Sequence, residues 1–227
     1  MSKQSMTIKQ NILRWAFFFS GLLILGFGIA MTMQAKDLGI GPWDVFHYGL
    51  FLQLGLTVGT WSIITGLLIV LLSALFLKEW PQIGTILNMV LIGVFIDLFN
   101  WLLPEPETLL AELIVFVTGT VVMAYGIGIY VAANLGAGPR DSLMLVLTDL
   151  TGLKVSTIRN LIEITVFLLG WMLGGPLGAG TVFIAFFLGT LVGHTLPQSR
   201  KLLEYSMKKG EHNENIDKRP LWADNHD

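Results

Sequence analysis

Six apolar runs, each long enough to cross a bilayer, set the terms on which this chain can fold. They lie at about 12–35, 58–77, 82–103, 108–133, 157–174 and 178–197. A helical span takes about 20 residues. In hydrocarbon no water satisfies a peptide group, so each run must close its own hydrogen bonds as a helix. Composition agrees: 53% of the 227 residues are hydrophobic, 13% are charged, and the mean hydropathy is +0.68. A soluble domain carries nearer 25% charged residues. The expected fold class is all-α, a polytopic transmembrane helical bundle in a lipid bilayer.

The first run follows Lys3, Lys9 and Arg14, a pattern superficially like a secretory signal. It is longer than a signal's apolar core and comparable segments follow, so it reads as an uncleaved first span. A net charge of -2 gives no reason to expect nucleic-acid binding. The absence of cysteine excludes disulfides and thiolate metal sites. His47, His194, His212 and His226 are scattered without zinc spacing, and no cofactor is expected. Neither a nucleotide-binding motif, a nucleophile elbow nor an HExxH motif occurs, so the sequence does not read as an enzyme.

Two further features sharpen the architecture. The stretch from Leu38 to Thr60 is repeated without a gap 97 positions later, from Leu135 to Thr157. The copies share Leu38/Leu135, Gly39/Gly136, Gly41/Gly138, Pro42/Pro139, Asp44/Asp141, Leu50/Leu147, Gly55/Gly152, Leu56/Leu153, Val58/Val155 and Thr60/Thr157. The echo continues where Gly84-Thr85 matches Gly180-Thr181 and Gly93 matches Gly189. A repeat of this reach divides the chain into two structural halves, a plan typical of transporters. The division is 1–11 as a cytoplasmic N-terminus, 12–103 and 104–198 as membrane repeats, and 199–227 as a polar cytoplasmic tail. The tail is expected to be helical through Leu202–Tyr205 and then largely disordered; a plain solubilising role and lipid contact by its basic residues are both open.

Each Leu-Gly-x-Gly-Pro motif is followed by a short apolar stretch, 43–54 and 140–151, that suits a half-membrane helix. Proline fits the first turn of such a helix, and Gly55 and Gly152 stand where a glycine would end it. Loop charge decides whether these stretches cross. Six spans with a cytoplasmic N-terminus put Lys3, Lys9, Arg14, Lys78, Arg140, Lys154, Arg159, Arg200 and Lys201 inside. Only Lys36 is then outside, with the acidic Pro104-Glu105-Pro106-Glu107 loop. Eight spans would move Lys36, Lys78 and Arg140 outside together, which fits the positive-inside rule less well. Six spans leave three per repeat, so the two halves are expected to be inverted, with both termini cytoplasmic.

The matching Asp44 and Asp141 are the leading candidates for chemistry, because an intramembrane carboxylate is costly and often functional. Capping the first turn of their helices is an equally physical reading. Gly41, Pro42, Gly138 and Pro139 permit irregular backbone that is tolerated at membrane depth only beside protein or a wet cavity. Arg140 replaces Trp43 of the first copy, either to meet an acidic substrate or to anchor the helix at the inner surface. His47 and Tyr48 fall three and four residues after Asp44, as a polar cluster, a proton relay or packing. Arg159 and Glu163 are spaced to pair on one helix face, for structure or for gating. Asn88, Asp97, Asn100 and His194 are weaker signals, expected to make helix–helix or interfacial hydrogen bonds.

The duplicated Leu-Gly-x-Gly-Pro-x-Asp segments at 38–44 and 135–141, in a small multi-span chain, resemble the YczE/YyaS/YitT group of bacterial integral membrane proteins. The resemblance covers about residues 10–198. It implies a bacterial cytoplasmic-membrane protein with no established cofactor, in a group where some members are associated with secondary-metabolite production. It carries over no catalytic residues. Two functions follow as expectations. One is a small secondary transporter or exporter with a site for a small molecule between the halves. The other is a non-transporting accessory protein that supports a partner enzyme or export complex. A homodimer or another membrane-protein partner is compatible with either.

Overall fold

The computed structural model describes residues 8–78, 80–136 and 138–217. It contains eight α-helices and no strand among those residues. They are α1 (Ile8–Gln34), α2 (Pro42–Leu54), α3 (Val58–Leu77), α4 (Ile83–Leu102), α5 (Leu109–Ala133), α6 (Pro139–Thr151), α7 (Val155–Met172) and α8 (Ala179–Asp217). Six of them, all but α2 and α6, are long and apolar enough to cross a membrane. Their boundaries follow local chemistry. Thr57 and Thr108 cap α3 and α5 by accepting the Thr60 and Ala111 amides at 3.1 and 3.2 Å. Pro42 and Pro139 open α2 and α6, and Gly55 and Gly152 close them.

The connections gather at two ends of the bundle. At one end the Lys36 ammonium donates to Glu105 Oε1 at 2.6 Å and Gln34 donates to the Asn100 carbonyl at 3.2 Å. There Gln53 also donates to the Leu173 carbonyl at 3.0 Å. The segments 35–41, 55–57, 103–108 and 173–178 therefore share this end. At the opposite end the start of α4 packs on Leu135 and Gly136, just before α6. Both flanks of α2 lie at the first end, so α2 does not cross. Both flanks of α6 lie at the second.

At the centre α1 and α5 pack along their length. They run antiparallel: Gly21 meets Tyr130, Leu25 meets Gly126, Gly28 meets Met123, and Gly119 meets Met31 and Thr32. The missing side chains let the two backbones approach, which is how helices associate where lipid gives no hydrophobic drive. Around this pair, α4 packs on α1 and α8 on α5. The short helices cross over, α2 onto α7 and α6 onto α3. Docking of the repeated motifs is reciprocal: Leu38 and Gly39 rest on Gly178, Gly180 and Thr181, while Leu135 and Gly136 rest on Gly84 and Thr85. The outward faces carry exposed Leu67, Leu68, Leu71, Leu72, Leu75, Phe186 and Phe187, the surface that lipid would cover.

The last helix extends further than the apolar run that begins it, through Pro197 and Tyr205 to Asp217. No second proline interrupts it, since the next is Pro220. Residues 218–227 of the expected tail, and 1–7 of the expected N-terminus, lie outside the described residues.

Candidate functional site

The start of α2 is built to turn a carboxylate inward. Gly41 precedes the helix, Pro42 fixes its first turn, and Asp44 follows. A side chain on Gly41 would meet Asp44 Oδ2 at 2.7 Å, so the glycine leaves room for the carboxylate beside the helix start. Asp44 is only 4% exposed, and its Oδ1 has no hydrogen-bond partner among the described residues. The capping role is therefore not filled by that oxygen. One turn on, His47 is 2% exposed and neither ring nitrogen is partnered among the described residues. Its ring sits between Trp43 and Phe46, at centroid distances of 6.2 and 5.9 Å.

The second motif meets the first here. The Arg140 guanidinium lies 4.7 Å from the centre of the Trp43 ring, a cation–π contact between residues at matching places in the repeat. Its charge reaches Asp44 and His47. Gly138 and Pro139 are buried beside it, with Pro139 facing Gly66 of α3. Asp141 falls in the first turn of α6, but its side chain lies outside the described residues.

These groups surround a cavity of about 400 Å³ at the junction of α1 through α8. Gly41, Pro42, Asp44, His47, Gly138, Pro139 and Arg140 all line it, as do Arg159 and Glu163 of α7. Arg159 Nε and Glu163 Oε1 pair at 3.1 Å across one turn, as their spacing predicts. Leu25, Ile29, Ile92, Met123 and Ile127 supply apolar walls.

Tyr48 is not part of this lining. It packs edge-to-face on Phe51, at 5.5 Å, and against the apolar cluster of Leu25, Ile29, Met33, Val58, Ile96 and Met123. Adjacent residues on a helix diverge by about 100°. That divergence sends His47 to the cavity and Tyr48 to the core, so the two form no polar cluster.

Asn88 of α4 belongs to the site and was undervalued in the sequence. It is 2% exposed and lines the cavity, and its Nδ2 has no partner among the described residues. A lone Asn inside an apolar run was its only signal. Ser62, Thr65 and Gly66 of α3 also line the cavity. Carrying the repeat register past Thr60 would have pointed to two of them, because it matches Ser62 with Arg159 and Gly66 with Glu163, whereas Thr65 falls opposite Ile162. Of the weaker candidates, Asp97 instead accepts from Thr57 Oγ1 at 2.5 Å and Gly59 N at 2.8 Å, tying α4 to the start of α3. Asn100 Nδ2 contacts Met33 Sδ at 3.4 Å, and His194 is exposed. A buried unpaired polar group costs about 1–3 kcal/mol, so Asp44, His47 and Asn88 together mark a place prepared for something polar.

A family model described as a family of unknown function (DUF6198) matches residues 12–196. An uncharacterised membrane protein of Bacillus subtilis, YczE, is 52% identical over 88% of this chain and 94% of its own length. A second B. subtilis protein, YyaS, is 30% identical over 82% of this chain and 93% of its own length. An uncharacterised protein of Haemophilus influenzae is 34% identical over 75% of this chain and 78% of its own length. No solved structure gives a significant match.

Proposed function

The chain belongs to the DUF6198 family, and from that premise of a six-span membrane protein we propose that it is a small secondary transporter working by alternating access. Its two halves are inverted repeats, and the cavity at Asp44 is its substrate site. Antiparallel α1 and α5, reciprocal docking of the two motifs, and the meeting of Trp43 with Arg140 all support a two-fold relation in the membrane plane.

One observation carries the reading: the contact of α3 with α4 and the corresponding contact of α7 with α8 differ sharply. In the first half α3 packs closely on α4; a side chain on Gly93 would lie 2.5 Å from the Gly59 carbonyl and from Ile63. Asp97 locks the same contact. In the second half α7 scarcely touches α8, and Gly189, the counterpart of Gly93, has no described atom within 4 Å of where its Cβ would be. One gate is shut and its twin is open. Exchanging the two arrangements generates the opposite state from the same contacts, with the cavity open to the other side.

The membrane is the bacterial cytoplasmic membrane, with both termini inside, because Lys78 and Lys154 stand in the connections α3–α4 and α6–α7 at the open end, whereas the opposite end carries the acidic Glu105 and Glu107 loop. This conformation is then inward-facing. The chain has no native cysteine, so single replacements report cleanly. Cysteine at Ser62 or Gly189 is expected to react with a membrane-impermeant thiol reagent added on either side. Cysteine at Glu105 is expected to react only from outside. Labelling of Ser62 and Gly189 from one side alone, under every condition, would reject transport and favour an accessory role.

A further inference from the structure

The cavity's chemistry narrows what it takes. We propose that the site binds a small zwitterion, an amino-acid-sized solute with a cationic group held by Asp44 and an anionic group held by Asn88 and Arg140. This rests on the transporter reading for its purpose, but on the lining alone for its chemistry.

Three observations lead there. The buried cavity atoms without partners among the described residues include opposite kinds: an ionised Asp44 carboxylate can only accept, whereas Asn88 Nδ2 can only donate. His47, also unpartnered, can do either. A ligand that offers only donors would leave Asn88 bare, and one that offers only acceptors would leave Asp44 bare. Second, the charged residues among the described lining balance, Asp44 and Glu163 against Arg140 and Arg159. Bringing a net charge into such a balanced site is unfavourable, while a solute with both charges meets both signs. Third, about 400 Å³ with walls of Leu25, Ile29, Ile92, Met123 and Ile127 leaves room for a hydrocarbon portion beside the two polar ends.

The test is a binding measurement on the full-length protein in lipid nanodiscs, kept separate from any flux measurement. Thermal shift and calorimetry would compare leucine with isoamylamine, which lacks the carboxylate, and with 4-methylpentanoate, which lacks the amine. Glycine and alanine would complete the panel. Leucine is expected to bind, with each one-charge analogue weaker by at least about tenfold. Asp44→Asn is expected to remove the preference for leucine over 4-methylpentanoate, and Asn88→Leu the preference over isoamylamine. An unchanged circular-dichroism spectrum and elution volume would show that these variants still fold. No binding by any zwitterion, or equal binding by a one-charge analogue, would overturn the proposal. Zwitterion binding without uptake into proteoliposomes would instead overturn the transporter reading and leave the binding site standing.

Discussion

Lys36 and Glu105 stand 69 positions apart in sequence and meet at 2.6 Å, pinning the segment before α2 to the loop between α4 and α5. The hydrogen bond to Glu105 holds the Lys36 ammonium above its ordinary value of 10.5, against a smaller opposing effect of burial. The same bond holds the Glu105 carboxyl below its ordinary 4.5. Glu105 thus contributes stability that is present above 4.5 and fades as pH falls through its folded value. Lys36 contributes stability that is present below 10.5 and fades as pH rises through its folded value. Glu105→Gln is therefore expected to lower the melting temperature slightly at pH 7. The difference from the parent protein should close as pH falls well below the ordinary carboxyl value of 4.5, read by differential scanning fluorimetry; a difference that persists in strong acid would contradict the pairing. Residues such as these are poorly legible in sequence. A lysine and a glutamate in different loops declare their side of the membrane, not their partner. Asp44 was legible because it recurs at Asp141, whereas Asn88 has no polar counterpart to point to it: the matching position in α8 is Ile184.

Apart from α1 and α8, which reach further than their apolar runs, the spans were legible to within about two residues, since a span must be long, apolar and ended by a polar loop or a glycine. Their crossings were not. Nothing local in α2 says that it will lie on α7 rather than on α1, because that choice depends on where two distant backbones can approach. Gly39 makes one such approach. It has φ 98, which disfavours a side chain, and an added Cβ would meet Thr181 Oγ1 at 2.5 Å and Gly178 N at 2.6 Å. Gly39→Ala is expected to cost about 2 kcal/mol or more, seen as a loss of folded, monodisperse protein on extraction. Asp97 acts between elements too. Asp97→Ala removes two hydrogen bonds at the start of α3, each with a charged acceptor, and should cost about 1–3 kcal/mol. Because those bonds also hold α3 against α4, where the proposed gate lies, the same variant should raise labelling of a cysteine at Ser62 from outside. A stability loss without that change would show that Asp97 holds the fold and not the gate.

For the whole molecule, the stretches that follow the two motif copies do not pack alike: α3 lies close on α4, whereas α7 scarcely touches α8. That difference lies beyond any sequence comparison, because matching residues can occupy unlike surroundings. It yields a paired prediction. Cysteines at Ile63 and Gly93 should form a disulfide in the conformation described here. Cysteines at Asn160 and Gly189, which hold the matching places, should form one only in the opposite state. Each cross-link should exclude the other and block any flux, as read by gel mobility and vesicle uptake. Simultaneous formation of both in one molecule would rule out the exchange. The reciprocal docking has a further consequence. Leu38-Gly39 needs the start of α8, and Leu135-Gly136 needs the start of α4, so neither half closes without the other. A polypeptide of half this length bearing the same surfaces would need a second copy to cover them. In the intact chain the two copies of the motif already differ at the place where they meet, Arg140 against Trp43.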